Sequence, residues 1–159
     1  MAPSESSINI RPVQASDREM WQPLFEGYRE FYRLTPNAAV VDRVWGWVTD
    51  DDHDVRGLVA ELDGDVVGIA HYRRFARPSS GTVGLWLDDL FVDPQCRGNG
   101  VAGHLIGELQ RLADADGLSV VRWITAQDND RARALYDQVA TATHWVVYDA
   151  QPGADTAQA

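Results

Sequence analysis

The sequence predicts an α/β domain, α+β in some classifications, built around a mixed β-sheet. Apolar residues that alternate with polar ones mark strands, and apolar residues three and four positions apart mark helices. An Asp63-Gly64 pair between two strand-like runs is the commonest signal of a short antiparallel hairpin. The predicted order is a strand, two helices, three strands, a helix, a strand, a helix and a final strand, which is typical of a sheet covered by helices.

The first predicted strand and the first two helices occupy the N-terminal third of the chain. Ile8–Val13 alternates apolar and polar residues, and Ser16–Glu19 has the S-x-x-E form of a capping box that begins a helix running to about Arg33. A second helix follows Pro36. The acidic run Asp50–Asp54 ends that helix, and it lacks the glycine and the distal glutamate of a calcium-binding EF-hand loop, so we expect no metal site.

The centre of the sheet is predicted from three strand-like runs. Gly57–Leu62 and Val66–Tyr72 flank the hairpin turn, and Val83–Val92 forms a long third strand that Asp93-Pro94 ends. Helical periodicity then resumes. The last elements are a helix over Gly100–Asp116, a strand over Leu118–Thr125, a helix N-capped by Asp128 or Asn129, and a strand over His144–Tyr148.

Length and composition restrict the possible functions. The 159 residues give room for one domain, predicted over 8–149 between a flexible N-terminus at 1–7 and a flexible tail at 150–159. A net charge of -10 at pH 7 disfavours nucleic acids and anionic membranes as partners and is compatible with a cationic one. Cys96 is the only cysteine and no apolar run is long enough to cross a bilayer, so we expect a cytoplasmic protein.

Glycines and an arginine converge on the turn after the third long strand. Gly98, Gly100 and Gly103 match G-x-G-x-x-G, but Asp93–Arg97 separates them from the strand, which disfavours a Rossmann dinucleotide site. Glycines let backbone N–H groups turn towards a ligand, and a helix N-terminus favours an anion. The turn therefore predicts a site for an anion such as a pyrophosphate, with a tight strand-to-helix connection as the simpler alternative.

The residues around this turn resemble the acetyl-CoA motif of the GNAT superfamily of acyl-CoA-dependent N-acetyltransferases. Leu90–Pro94 precedes the motif Q/R-x-x-G-x-G/A, which Arg97, Gly100 and Ala102 match. The chain is most similar to the branch with the yeast histone and D-amino-acid acetyltransferases, and more loosely to polyamine acetyltransferases. The resemblance implies a GNAT-like, mostly antiparallel sheet flanked by about four helices. It is strengthened by Arg122–Thr125, Asn129, Ala132–Asp137 and Val146–Tyr148.

The resemblance also implies acetyl-CoA as the co-substrate and a role for each matching residue. Asn129 would contact the pantetheine arm, and Tyr136 would protonate the departing thiolate, the alternative being an ordinary packed helix tyrosine. The main chain of Leu90, Phe91 and Val92 would hydrogen-bond the pantetheine arm like an added strand. The pyrophosphate would be held by Arg97, Gly98, Asn99, Gly100, Val101 and Ala102.

Acetyl transfer to an amine needs a group that takes a proton from the ammonium form. Asp88 and Asp89 are the candidates because they lie on the strand that leads into the coenzyme segment; the alternative is that they anchor a loop or recognise a cation. Adjacent strand residues face opposite sides, so only one of the two faces a given site unless the strand carries a bulge. His71 on the neighbouring strand is assigned no role, because a lone strand histidine is more often structural.

The expected function is direct transfer of acetyl from acetyl-CoA to a primary amine of a small molecule or of a peptide or protein, in a ternary complex. A non-catalytic acyl-CoA-binding regulatory module is the alternative, and turnover distinguishes the two. The related fold commonly ends with two strands after the last helix, and only one is predicted here. We therefore expect a homodimer in which a neighbouring subunit covers the open sheet edge.

Overall fold

A five-stranded sheet is the centre of the fold in a computed structural model, which describes residues 6–153. The first four strands pair antiparallel in sequence order, and the fourth and fifth are parallel. This arrangement confirms the predicted mixed, mostly antiparallel sheet. The strands are β1 (Ile8–Pro12), β2 (Arg56–Leu62), β3 (Asp65–Arg77), β4 (Thr82–Val92) and β5 (Val121–Arg122).

Four α-helices lie within the described part of the chain, as predicted. They are α1 (Arg18–Phe31), α2 (Ala38–Val48), α3 (Val101–Ala115) and α4 (Asp130–Val139). Asn37 begins α2, because its side-chain oxygen accepts hydrogen bonds from the backbone N–H groups of Ala39 and Val40 at 3.0 and 3.2 Å. The side chain of Asn129 accepts from the backbone of Ala132 and begins α4 in the same way.

The predicted capping box at Ser16–Glu19 is wrong. The carboxylate of Asp17 accepts a hydrogen bond from the backbone N–H of Gln14 at 2.7 Å, and it also pairs with the guanidinium of Arg11 at 2.7 and 2.8 Å. Arg11 holds the pKa of Asp17 below its ordinary value. An ion pair to β1 therefore fixes the start of α1, through a short 3-10 turn over Ala15–Asp17.

The hairpin between β2 and β3 forms at the predicted position. Asp63 and Gly64 have φ angles of 52° and 92°, which is the left-handed conformation that a two-residue turn of this kind requires. Strand β3 then continues to Arg77, five residues beyond the predicted end at Tyr72. The added length lets β3 pair with β4 from Thr82 to Val92, so these two strands form the longest ladder in the described sheet.

Helices cover both faces of the sheet. On one face, α1 and α2 contribute Trp21, Leu24, Phe25, Val41 and Val48 to a buried cluster with Val59 and Ile69 of the sheet. On the other face, α3 buries Val101, Leu105, Ile106 and Leu109. Burial of apolar side chains on both faces is the main force that holds the helices to the sheet. The face under α1 and α2 is called the α1 face below.

Two strand predictions near the C-terminus are corrected. The strand predicted over Leu118–Thr125 is limited to β5, because β4 pairs with it only at Leu85 and Trp86. The strand predicted over His144–Tyr148 is absent from the described structure. Its large apolar side chains are 59–89% exposed, so β-propensity alone did not decide its conformation. The homodimer expected to cover the sheet edge stays a prediction, which the mass in solution tests.

Backbone contacts divide the chain into two compact units, Met1–Ile124 and Thr125–Ala159. The first unit contains the whole sheet with α1, α2 and α3, and the second contains α4. The single domain expected over 8–149 stays a prediction. The expected flexible ends lie largely outside the described residues. Within 6–153, no helix has the length and apolar content that crossing a membrane requires.

Gly84 of β4 permits close packing between β3, β4 and the chain before β5. A Cβ atom there would lie 2.7 Å from the Phe75 ring and 3.0 Å from the backbone oxygen of Val120. We expect Gly84→Ala to lower the free energy of unfolding by about 1–3 kcal/mol, since the backbone must shift to make room.

Gly46→Ala is the matched control, because nothing lies within 4 Å of a Cβ added at that exposed helix position. This change should raise the free energy of unfolding by about 0.5–1 kcal/mol. Denaturant titration measures both variants. Equal stability of Gly84→Ala and the wild type would contradict the close packing described for β4.

Candidate active site

A β-bulge in β4 brings the two adjacent aspartates to the same face of the sheet. His71 pairs with Asp89 and the next residue, Tyr72, pairs with Leu87, so Asp88 is an extra residue without a partner in β3. Alternation along β3 places His71 and Arg73 on one face. Asp89 contacts His71 and Asp88 contacts Arg73, so both carboxylates lie on that face. The bulge removes the restriction that only one aspartate can face the site.

Asp89 is held by a buried histidine that the sequence analysis left unassigned. Nδ1 of His71 lies 2.8 Å from the carboxylate of Asp89, and Nε2 of the same ring lies 3.0 Å from the indole N–H of Trp21. An indole nitrogen can only donate, so Nε2 accepts and Nδ1 carries the hydrogen that His71 donates to Asp89. His71 is 1% exposed and lies between α1 and β4. The hydrogen-bond network therefore assigns a neutral imidazole and a fixed orientation of the Asp89 carboxylate.

Asp88 has a different partner. Both of its carboxylate oxygens accept from Nε of Arg73, at 3.3 and 3.1 Å, and the Arg73 guanidinium lies 5.7 Å from the centre of the Trp86 ring. Burial raises the pKa of Asp88, while the hydrogen bond and charge of Arg73 act in the opposite direction. The charge of Asp88 is thus balanced by a neighbouring cation, whereas Asp89 receives a hydrogen bond from a neutral ring.

Aromatic side chains of α1 lie beside the two carboxylates. The hydroxyl of Tyr28 is 3.4 Å from the backbone oxygen of Asp88, and its ring is 5.0 Å from that of Tyr32. Burial and then the negative charge of Asp89 raise the pKa of Tyr28 far above its ordinary value. Tyr28 is therefore a neutral phenol at physiological pH, and it presents a hydroxyl rather than a charge to the carboxylates.

The predicted coenzyme segment follows the bulge directly. Leu90, Phe91 and Val92 pair with β3 on one side, and on the other side β5 reaches only as far as Trp86 within the described chain. The second edge of this segment is therefore left without a neighbouring strand. An extended ligand can form strand-like hydrogen bonds with the main chain along such an edge.

The glycine turn has the backbone geometry that an anion site needs. Gly98 and Gly100 have φ angles of 86° and 79°, and no atom lies within 4 Å of a Cβ added at Gly98. Gly100 precedes α3 without a side-chain cap, so the first N–H groups of the helix have no capping partner. Arg97 is 5.9 Å from the Phe91 ring and adds a positive charge to the turn. These features fit a pyrophosphate.

The remaining predicted residues, Asn129 and Tyr136, lie in the second unit. The amide of Asn129 donates to Thr125 Oγ1 at 3.3 Å and accepts from the backbone N–H of Ala132 at 3.4 Å. Asn129 thus has a structural role as the N-cap of α4. Tyr136 is half-buried on the same helix. Their contacts with the coenzyme stay predictions.

Comparison with known proteins identifies the family. Residues 21–140 match the acetyltransferase (GNAT) family. The chain therefore belongs to the GNAT family. It is 29% identical over 143 residues, 89% of either chain, to the D-amino-acid N-acetyltransferase HPA3 of Saccharomyces cerevisiae. It is 32% identical over 132 residues, 82% of this chain and 87% of the relative, to the uncharacterized N-acetyltransferase YhfO of Bacillus subtilis.

A solved structure has the same fold. The aminoglycoside N-acetyltransferase AAC(6')-Iy in complex with CoA aligns with a TM-score of 0.77 over 96% of this chain and 99% of its own, at 21% identity. The names of HPA3 and AAC(6')-Iy refer to different acceptors. The similarity to these two proteins therefore does not identify the acceptor of this chain.

Gly100 provides a direct test of the coenzyme turn. We expect Gly100→Val to weaken acetyl-CoA binding about tenfold or more, because a β-branched residue is strained at a φ of 79° and would obstruct the first N–H groups of α3. Titration calorimetry measures the affinity. Gly81→Val is the matched control, since Gly81 also has a positive φ, 64°, but lies in the turn at the opposite end of β4. Unchanged affinity in a folded Gly100→Val variant would show that the turn is not the site.

Proposed function

We propose that this protein transfers acetyl from acetyl-CoA directly to a primary amine, within a ternary complex. One observation carries the proposal: the β4 bulge places two carboxylates beside the unpaired main-chain edge of the coenzyme segment. Acetyl-CoA supplies an activated acyl group as a thioester. The acceptor class proposed at this stage is broad and includes small molecules and the amines of peptides or proteins.

The coenzyme would be held at two places in the first unit. The main chain of Leu90, Phe91 and Val92 would bind the pantetheine arm along the edge that β5 leaves free. The backbone N–H groups of Arg97–Ala102, together with the Arg97 guanidinium, would bind the pyrophosphate. Asn129 is proposed to contact the pantetheine arm as well, on the strength of its match to the family motif.

We assign the general base to Asp89. A base must accept a proton from an ammonium group before the nitrogen lone pair can attack the acyl carbon. Asp88 is committed to Arg73, and protonating it would break an ion pair. Asp89 forms no ion pair with an arginine among the described residues, and its hydrogen bond from His71 fixes the position of the carboxylate. Asp89 thus attracts the ammonium and takes its proton.

Tyr136 is proposed as the general acid. When the new N–C bond forms and the C–S bond breaks, sulfur leaves with the electron pair of that bond and requires a proton. The phenol of Tyr136 would donate it and regain a proton from solvent or from the acylated nitrogen. The support is the spacing of Tyr136 from Asn129, which matches the family pattern.

Release of free CoA is followed with a thiol reagent across a panel of amino acids, polyamines, aminoglycosides and basic peptides. This assay tests the proposed transferase activity and the general base together. We expect Asp89→Asn to lower kcat/KM by about 10²–10⁴. Asp88→Asn is the matched control and should have a clearly smaller effect, because Asp88 is paired with Arg73. Binding of acetyl-CoA without turnover of any acceptor would support the non-catalytic module instead. A larger loss in Asp88→Asn would move the base to Asp88.

Tyr136→Phe tests the general acid, because phenylalanine keeps the ring and removes the proton. We expect kcat to fall by about 10²–10⁴ while acetyl-CoA affinity and thermal stability stay nearly unchanged. Tyr148→Phe is the control in the same unit, since this tyrosine is 89% exposed and has no assigned role. Single-turnover kinetics measure the chemical step. Full activity of Tyr136→Phe would show that the thiolate leaves unaided or uses another donor.

A further inference from the structure

Two arginines stack on two aromatic rings beside the proposed base. The rings of Phe75 and Trp86 meet edge to face with centres 5.6 Å apart. Arg73 lies 5.7 Å from the Trp86 ring centre, and Arg122 lies 5.5 Å from the Phe75 ring centre. All four side chains are half-buried. We call Arg73, Phe75, Trp86 and Arg122 the arginine platform.

The strand register explains why these residues, which belong to three strands, lie on one face of the sheet. Arg73 pairs with Trp86 across the antiparallel ladder of β3 and β4, and Trp86 pairs with Arg122 across the parallel ladder of β4 and β5. Paired residues in a sheet point to the same side. Because Arg73 also bonds Asp88, the platform lies on the α1 face and adjoins the two carboxylates. It therefore forms one wall of the proposed acceptor site.

Most guanidinium N–H groups of the platform have no carboxylate partner among the described residues. Nε of Arg73 bonds Asp88, and the terminal nitrogens of Arg73 have no hydrogen-bond partner among residues 6–153. The guanidinium of Arg122 forms no ion pair with any residue that the structure describes; it lies over the Phe75 ring. The platform thus bonds one carboxylate, Asp88, through the Nε of Arg73, and Asp89 bonds His71 instead. Partly buried, unpaired guanidinium groups favour a carboxylate or phosphate ligand, which they bind through parallel N–H groups.

From this charge pattern we infer that the acceptor is an α-amino acid, whose carboxylate binds the arginine platform while its amine meets Asp89. The inference rests on the proposed transferase and narrows its acceptor. Polyamines and aminoglycosides carry several positive charges, and the two guanidiniums repel a second cation at this position. A zwitterion instead presents an ammonium to the carboxylate side and a carboxylate to the guanidinium side.

The spacing along β3 suits a short zwitterion. Arg73 lies two residues after His71, which fixes Asp89, so the backbone positions from which the two recognition points arise are about 7 Å apart along the strand. An α-amino acid carries its ammonium and its carboxylate on the same carbon, and each end adds one hydrogen bond of about 3 Å. Such a molecule spans a distance of the same order.

Matched acceptors test the role of the carboxylate. We expect an amino acid to be acetylated with a kcat/KM about 10- to 100-fold above those of its carboxamide and of the amine that lacks the carboxyl group, assayed for both enantiomers. The carboxamide is the stricter comparison, because its amine is less basic and a larger fraction is neutral and reactive at a given pH. Equal kcat/KM for all three acceptors, or a higher value for a polyamine, would overturn the inference.

Variants of the platform test which residues recognise the carboxylate. Arg73→Gln and Arg122→Gln should each raise KM for the amino acid about tenfold, and the preference for the amino acid over its carboxamide should fall accordingly. Arg122→Gln is decisive if Arg73→Gln disturbs Asp88, because Arg122 does not bond either aspartate. Arg74→Gln is the control: it removes the same charge from the next residue of β3, which pairs with Asp116 instead.

The acetyl-CoA affinity of each variant separates this inference from its alternatives. Unchanged coenzyme affinity is expected, and a loss in Arg73→Gln or Arg122→Gln would mean that the arginines hold the coenzyme. Retained discrimination against the carboxamide in both variants would also contradict the inference. If none of the acceptors leads to release of CoA, the proposed transferase itself is contradicted. If acceptors are turned over equally well with and without a carboxylate, only the assignment of the acceptor is contradicted.

Discussion

One extra residue in β4 determines the rest of the site. The bulge at Asp88 places two neighbouring carboxylates on one face, which a regular strand cannot do. It also divides β4 into two halves. The first half pairs with β5, and the second half, which contains Leu90–Val92, has no neighbouring strand on that side among residues 6–153. The proposed base, the coenzyme segment and the arginine platform therefore meet at a single irregularity of the sheet.

The partners of the two aspartates explain how adjacent and chemically identical groups can have different roles. Asp88 is bound to a cation that also stacks on Trp86, and Asp89 is bound to a histidine whose second nitrogen is occupied by Trp21. The indole N–H of Trp21 and the carboxylate of Asp89 bond the two nitrogens of one ring, so the core of α1 fixes the orientation of the imidazole that holds Asp89.

The sequence predicted the architecture and the glycine turn well, because hairpin signals, helical periodicity and glycine patterns are local. Counting back from the β3–β4 turn, where Arg77 pairs with Thr82, a regular ladder would set His71 opposite Asp88. The bulge moves His71 to Asp89, and nothing in the local sequence of β4 indicates it. The strand wrongly predicted at His144–Tyr148 failed for a related reason: strand formation depends on a neighbouring strand, which residue pattern alone does not supply.

The overall charge of the chain and the charge of the arginine platform differ in sign, and the difference bears on recognition. A net charge of -10 predicts attraction of cations at long range. Within the site, short distances and partial burial make the nearest groups decisive, since exposed charges beyond about 8–10 Å are screened by salt. The guanidiniums of Arg73 and Arg122 are those nearest groups on the platform. An acidic protein can therefore attract amines in general and still select, at the sheet, the amine that carries its own carboxylate.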